Sequence, residues 1–142
     1  MLYPSLKTLM STIGILLLLS CSKAPLPNAN KIPVPVANTD EAKQRLSISL
    51  ASSGSVASTT SIVSVQNYQG EGVSFSLVTY LDEAGIEHTI AYRTTLNEYG
   101  EEETQTITCS SSSCDCRVQL FQNSSGQMDV QCSCIPCTMT IR

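Results

Sequence analysis

The sequence predicts a mainly β fold: an antiparallel meander forming a small sandwich or open barrel, with a disulfide-rich C-terminal hairpin. Three observations carry that expectation. The neighbouring segments 73–81 and 86–94 alternate apolar and polar residues with the period of a half-buried strand. Asn123–Gln127, rich in turn formers, separates two further short segments of β character. Six cysteines lie between residues 109 and 137, a density typical of small domains held by disulfides. With two Phe and no Trp in 142 residues the apolar core is thin, and cross-links compensate for it.

In chain order, Lys7 is followed by the apolar run Leu9–Leu19, then by Ser20 and Cys21. A basic residue, a short apolar run and a small residue make a secretory signal, too short to cross a hydrocarbon core of about 30 Å as a helix. With a cysteine directly after the small residue, Leu18-Leu19-Ser20-Cys21 resembles the lipobox of bacterial membrane lipoproteins. The resemblance covers residues 1–21 alone. It implies a signal peptide over residues 1–20, cleavage before Cys21 and lipid attachment at the Cys21 sulfur. An ordinary signal with Cys21 as half of a disulfide is the alternative. Removing Cys21 from seven cysteines leaves an even number for pairing in an oxidising compartment, which favours the lipid. Lipoprotein processing adds more than one acyl chain, as stable anchoring requires. Ser22 rather than Asp after the cysteine points, by analogy with the sorting of such lipoproteins, to the outer membrane.

Residues 21–40 read as a lipidated cysteine and a Pro-rich tether, since four of the six prolines fall there. At roughly 3.1 Å per residue in an extended polyproline form, this tether reaches roughly 60 Å. Residues 41–142 then form a single β domain with its Cys-rich part at 109–137. Within it, Leu46–Leu50 alternates strictly and reads as a strand, in slight preference to a helix begun at Asp40 with Ala42, Leu46 and Leu50 on one face. Ser61–Gln66 is β-branched and reads as a strand, and the Ser/Thr-rich run before it as a flexible or strand-edge segment.

A four-residue loop, Asp82–Gly85, would pair Leu81 with Ile86. Leu77 then lies opposite Ile90, Phe75 opposite Tyr92 and Val73 opposite Thr94, with Glu87 and Arg93 facing out. The one histidine, His88, faces Thr79 and reads as a hydrogen-bonded strand residue; no G-x-S-x-G motif accompanies it. Glu98 and Glu101–Glu103 read as a solvated turn that discourages edge pairing, because their spacing lacks the ligand order of a calcium loop.

The cysteines follow C-x4-C-x-C, then C-x-C-x2-C, around the second hairpin. Pairing Gln122 with Met128 places Leu120 opposite Val130, Val118 opposite Cys132 and Cys116 opposite Cys134. Cys116–Cys134 is therefore the favoured disulfide, with Cys114–Cys137 and Cys109–Cys132 following among the many connectivities open to six cysteines. Two alternatives stand beside disulfides. The C-x-C elements resemble thiolate clusters for zinc or copper(I). Cys134-Ile135-Pro136-Cys137 looks like the C-x-P-C of thioredoxin-like oxidoreductases, but only five residues follow it, too few for the helix that activates the thiol there. Disulfides are favoured, so neither metal nor cofactor is expected.

The net charge of −4 becomes −5 when the signal leaves with Lys7, and acidic residues concentrate between Glu71 and Asp115. That excludes nucleic acid, whose binding needs a positive footprint. The expected protein is a lipid-anchored cell-envelope component with a non-enzymatic binding or structural role. Its partners are the membrane, through the lipid, and an envelope protein or surface ligand, through the β domain.

Overall fold

A computed structural model describes residues 32–52 and 61–142. They form one helix, α1 (Thr39–Ser52), and strands β1 (Ser61–Gly70), β2 (Val73–Leu81), β3 (Glu87–Leu96), β4 (Glu102–Ser110), β5 (Val118–Gln122), β6 (Met128–Cys132) and β7 (Thr138–Ile141). Five strands pair antiparallel in the order β1-β2-β3-β4-β7, and β5 pairs with β6 in a separate hairpin. The hairpin is inserted between β4 and β7 and packs on one face of the sheet, where Val118 and Val130 meet Leu77, Ala91 and Ile107. Helix α1 and the segment before it cover the other face, where Val36, Ala42 and Leu46 meet Val78, Ile90 and Tyr92. The result is an open sandwich backed by a helix.

The strands are joined by a recurring loop. Asp82–Ile86, Asn97–Glu101 and Asn123–Gln127 each begin with Asp or Asn and carry glycine at the fourth position. In each, the first residue's N–H donates to the fifth residue's carbonyl and the glycine N–H to the first residue's carbonyl. The opening side chain accepts the fifth residue's N–H, at 2.8 Å for Ile86, 2.9 Å for Glu101 and 2.9 Å for Gln127. Gly85, Gly100 and Gly126 have φ of 75°, 77° and 82°, which a side chain would strain.

This loop corrects the register expected for β2–β3. Three residues, not four, are looped out, so Leu81 pairs with Glu87, Leu77 with Ala91 and Phe75 with Arg93. The slip of one residue splits the apolar positions between two faces. Val78, Ile90 and Tyr92 go to the helix side, and Leu77 and Ala91 to the hairpin side. Alternation misled because both faces are buried. Ser74 and Ser76, polar in the sequence, are fully buried. His88 accordingly lies opposite Tyr80 rather than Thr79.

The buried serines bind the chain before α1. Ser74 Oγ donates to the Pro33 carbonyl at 2.6 Å, the Val36 N–H donates to Ser76 Oγ at 3.0 Å, and Ser76 donates to Asn67 Oδ1 at 2.6 Å. Gln69 Nε2 holds the Ile32 carbonyl at 3.0 Å. Ile32 and Val36 are buried, so residues 32–40 belong to the folded body and not to the tether expected over 21–40. The segment 46–50, expected as a strand, is helical. Asn38 caps the helix by accepting the Glu41 N–H at 3.0 Å, and Glu41 reaches back to the Ala37 N–H at 2.9 Å. Asp40 and Glu41 also suit the positive end of the helix. Of the Ser52–Ser61 run, residues 53–60 lie outside the described residues, as do the signal and Cys21.

Leu46 is fully buried at the centre of the helix-side core. Leu46→Ala is expected to cost about 2–5 kcal/mol in denaturant unfolding, the range for a cavity that packing cannot close.

Glu41 sits below its ordinary pKa of 4.5, first because it accepts the Ala37 N–H and further because of Arg45. A carboxylate with a lowered folded pKa adds stability above its ordinary value and loses it as pH falls through the lowered one. The melting temperature should therefore drop as pH falls below 4.5. Glu41→Gln should melt lower at neutral pH and show a shallower acid decline in a pH series followed by circular dichroism.

Candidate functional site: the six-cysteine node

The node forms where the chain leaves β4, enters the β5–β6 hairpin and returns to β7. Its disulfides are Cys109–Cys132, Cys114–Cys134 and Cys116–Cys137, with Cα–Cα distances of 5.8, 6.6 and 6.1 Å. Cys109 lies on the hairpin face of β4, so its bond to Cys132 at the end of β6 sews hairpin to sheet. The other two tie the incoming loop, 111–117, to the outgoing one, 133–137.

The hairpin register is the one expected, Gln122 with Met128 through Val118 with Cys132. The pair Cys116–Cys134 is nonetheless not made, nor is Cys114–Cys137. The ladder stops one step beyond Val118. There the Ser133 N–H donates to the Arg117 carbonyl at 2.9 Å, but the Arg117 N–H turns to Ser133 Oγ at 2.9 Å. Ser133 Oγ donates in turn to the Asp115 carbonyl at 3.1 Å. A side chain takes the place of the main-chain partner, the strands cease to be directly opposed, and each cysteine finds a sulfur off the register.

Side chains at the hairpin root hold the node in place. Thr89 Oγ1 of β3 accepts the Val118 N–H at 2.6 Å and lies 3.2 Å from the Val118 carbonyl. Arg117 pairs with Glu87 of β3 and, at 2.7 Å, with Asp115 in the incoming loop. Those carboxylates, Asp115 foremost, raise the guanidinium pKa further. Neither Thr89 nor Arg117 stands out in the sequence, because the partners that join β3 to the hairpin root, Thr89 with Val118 and Arg117 with Glu87, lie about thirty residues apart.

The sulfurs fall into two trios, Cys109/Cys116/Cys132 and Cys114/Cys134/Cys137, each with all three atoms within 4.8 Å and half-buried. The same atoms therefore suit two chemistries: paired by oxidation as here, or, once reduced, thiolate ligands for a soft metal ion.

Away from the node, His88 Nε2 lies 2.9 Å from Asp82 Oδ2, and its ring stacks on Tyr80 at 5.4 Å. The Asp82 carboxyl sits below its ordinary range, first through His88 and then through the Ile86 N–H. This pair locks the β2–β3 loop. Glu98 is in the β3–β4 loop, and Glu102 and Glu103 are exposed at the start of β4, where β7 does not reach. A groove of about 250 Å³ opens where α1 stops short of β4 and β7. Its lining is mixed: Ser49, Thr106, Thr108, Thr140 and Arg142 stand beside Leu50, Tyr80 and Ile90. The period-two row Thr104, Thr106, Thr108 was visible in the sequence, but only the register assigns it to the helix side. No helix among the described residues is long and apolar enough to cross a membrane.

No protein-family model matches the chain, and neither a curated protein nor a solved structure does.

Thiol counting on the native protein, with metal analysis in parallel, separates the two chemistries of the node. Disulfides predict no free thiol among the six cysteines and a loss of several kcal/mol on reduction, since each bridge contributes about 2–5 kcal/mol in a small domain. Six free thiols with stoichiometric zinc or copper would reverse the assignment.

Proposed function

We propose that this is a lipid-anchored protein of the bacterial cell envelope, on the outer membrane, whose β domain has a non-enzymatic binding or structural role. The observation that carries the reading is the pairing of all six cysteines after residue 108 into disulfides. Such a set persists in an oxidising compartment, which is where the signal ending at Cys21 would deliver the chain. Full pairing also leaves no cysteine among the described residues to compete with acylation for Cys21.

Ten residues, 22–31, separate Cys21 from the folded body. At no more than about 3.6 Å each, they keep Ile32 within roughly 40 Å of the lipid. The body thus works close to the membrane surface. Its binding surface is the groove between α1 and β4–β7, where neither the helix nor the hairpin covers the sheet. Hydroxyls and a guanidinium beside Leu50 and Ile90 suit a ligand, or a loop of an envelope protein, with both polar and apolar parts. His88 fits this role as a loop lock: its bonded partner is a turn carboxylate that also holds a backbone N–H.

A second reading is favoured by the two sulfur trios: a thiolate metal-binding lipoprotein for zinc or copper. Three sulfurs per group match copper(I) better than the four ligands of a structural zinc site.

Metabolic labelling with a radioactive fatty acid tests the anchor. The native chain should take up label and sediment with outer membranes. Cys21→Ser should be exported without label and be released as a soluble protein. A native chain that never incorporates lipid would overturn the proposal.

A further inference from the structure

The bridge Cys116–Cys137 joins the two trios, and each of its sulfurs sits beside another disulfide. Cys116 Sγ is within 4.8 Å of both sulfurs of Cys109–Cys132, and Cys137 Sγ is within 4.8 Å of both sulfurs of Cys114–Cys134. Between two bridges, Cys134 Sγ lies 3.1 Å from Cys137 Sγ. Thiol–disulfide exchange needs a thiolate in reach of a disulfide sulfur, and opening the central bridge creates one on each side.

We propose that the node is a disulfide-exchange centre that takes two electrons from an external dithiol and passes them to the Cys114/Cys116 pair. The dithiol reduces Cys116–Cys137, becoming a disulfide itself and leaving a thiol on Cys116 and a thiolate on Cys137. Cys137 then attacks Cys134. A Cys134–Cys137 bond forms, the Cys114–Cys134 bond breaks, and the electron pair leaves on Cys114, which takes up the proton. The net change is one dithiol oxidised and one protein disulfide reduced.

The product keeps Cys109–Cys132, so the hairpin stays sewn to β4 while the incoming loop is released from the outgoing one. The new bond closes the C-I-P-C loop, whose Ile135 is exposed. The two thiols now lie in Cys114-Asp115-Cys116, on the loop after β4, where a partner disulfide can reach them. The fitting partner is a thiol–disulfide oxidoreductase of the envelope. The inference depends on the oxidised form of the node and goes beyond the binding role proposed above.

The full chain in detergent is treated with one equivalent of dithiothreitol, alkylated with N-ethylmaleimide at mildly acidic pH and digested with trypsin. Cleavage after Arg117 puts Cys109, Cys114 and Cys116 on one peptide and Cys132, Cys134 and Cys137 on another. The expected product carries label on Cys114 and Cys116, an internal Cys134–Cys137 bond and an intact Cys109–Cys132 link. Label on Cys116 and Cys137, on either member of Cys109–Cys132, or spread evenly over all six overturns the proposal. Six alkylated cysteines before any reductant is added overturn it together with the disulfide assignment, which tells the two failures apart.

Discussion

The structure depends on one constraint: β2 and β3 carry apolar side chains on both faces, so the sheet cannot leave either face in water. Val78, Ile90 and Tyr92 point one way, and Leu77, Ala91 and Phe75 the other. The three-residue loop after Asp82 imposes this division by setting the register. Two covers are therefore needed, and the chain supplies one from each end. The N-terminal cover is a capped helix with its leading segment held by buried serines. The C-terminal cover is the β5–β6 hairpin.

The two covers are stabilised by different means, for a physical reason. A helix of fourteen residues with Ala42 and Leu46 fully buried gains enough from packing and capping to dock without covalent help. A two-stranded hairpin of five-residue strands is marginal in water, and it buries one strongly apolar residue, Val118, completely. The hairpin needs links to the sheet. Cys109–Cys132, Thr89 to Val118 and Arg117 to Glu87 are those links, one covalent, one hydrogen-bonded and one ionic.

The same asymmetry creates the two surfaces on which the proposals rest. Because α1 stops short of β4 and β7, it leaves a groove of mixed polar and apolar lining on the helix side. Because the hairpin is an insertion between β4 and β7, its two connecting loops must run side by side. Their cysteines then crowd into adjoining trios rather than isolated bridges. The proposed binding surface and the proposed thiol chemistry thus lie on opposite layers of one small domain.

The sequence by itself determined what is local. The mainly β class, the Asn123–Gln127 loop, the β5–β6 register and the disulfide-rich hairpin were all legible, because turn chemistry and period-two patterning act between near neighbours. Tertiary structure decided the rest. The alternation of β2 and β3 could not reveal that the serine face was dry, since Ser74 and Ser76 are buried by a segment about forty residues earlier. Leu46–Leu50 fits a strand slightly better than a helix by pattern, and the cap at Asn38 with the waiting face of Val78 and Ile90 selects the helix. Cys109–Cys132 formed as expected, but the other two pairs departed from the ladder because one serine hydroxyl, Ser133 Oγ, displaced a main-chain partner. Spacing carries no trace of such an exchange, because it is a competition between groups that only folding brings together.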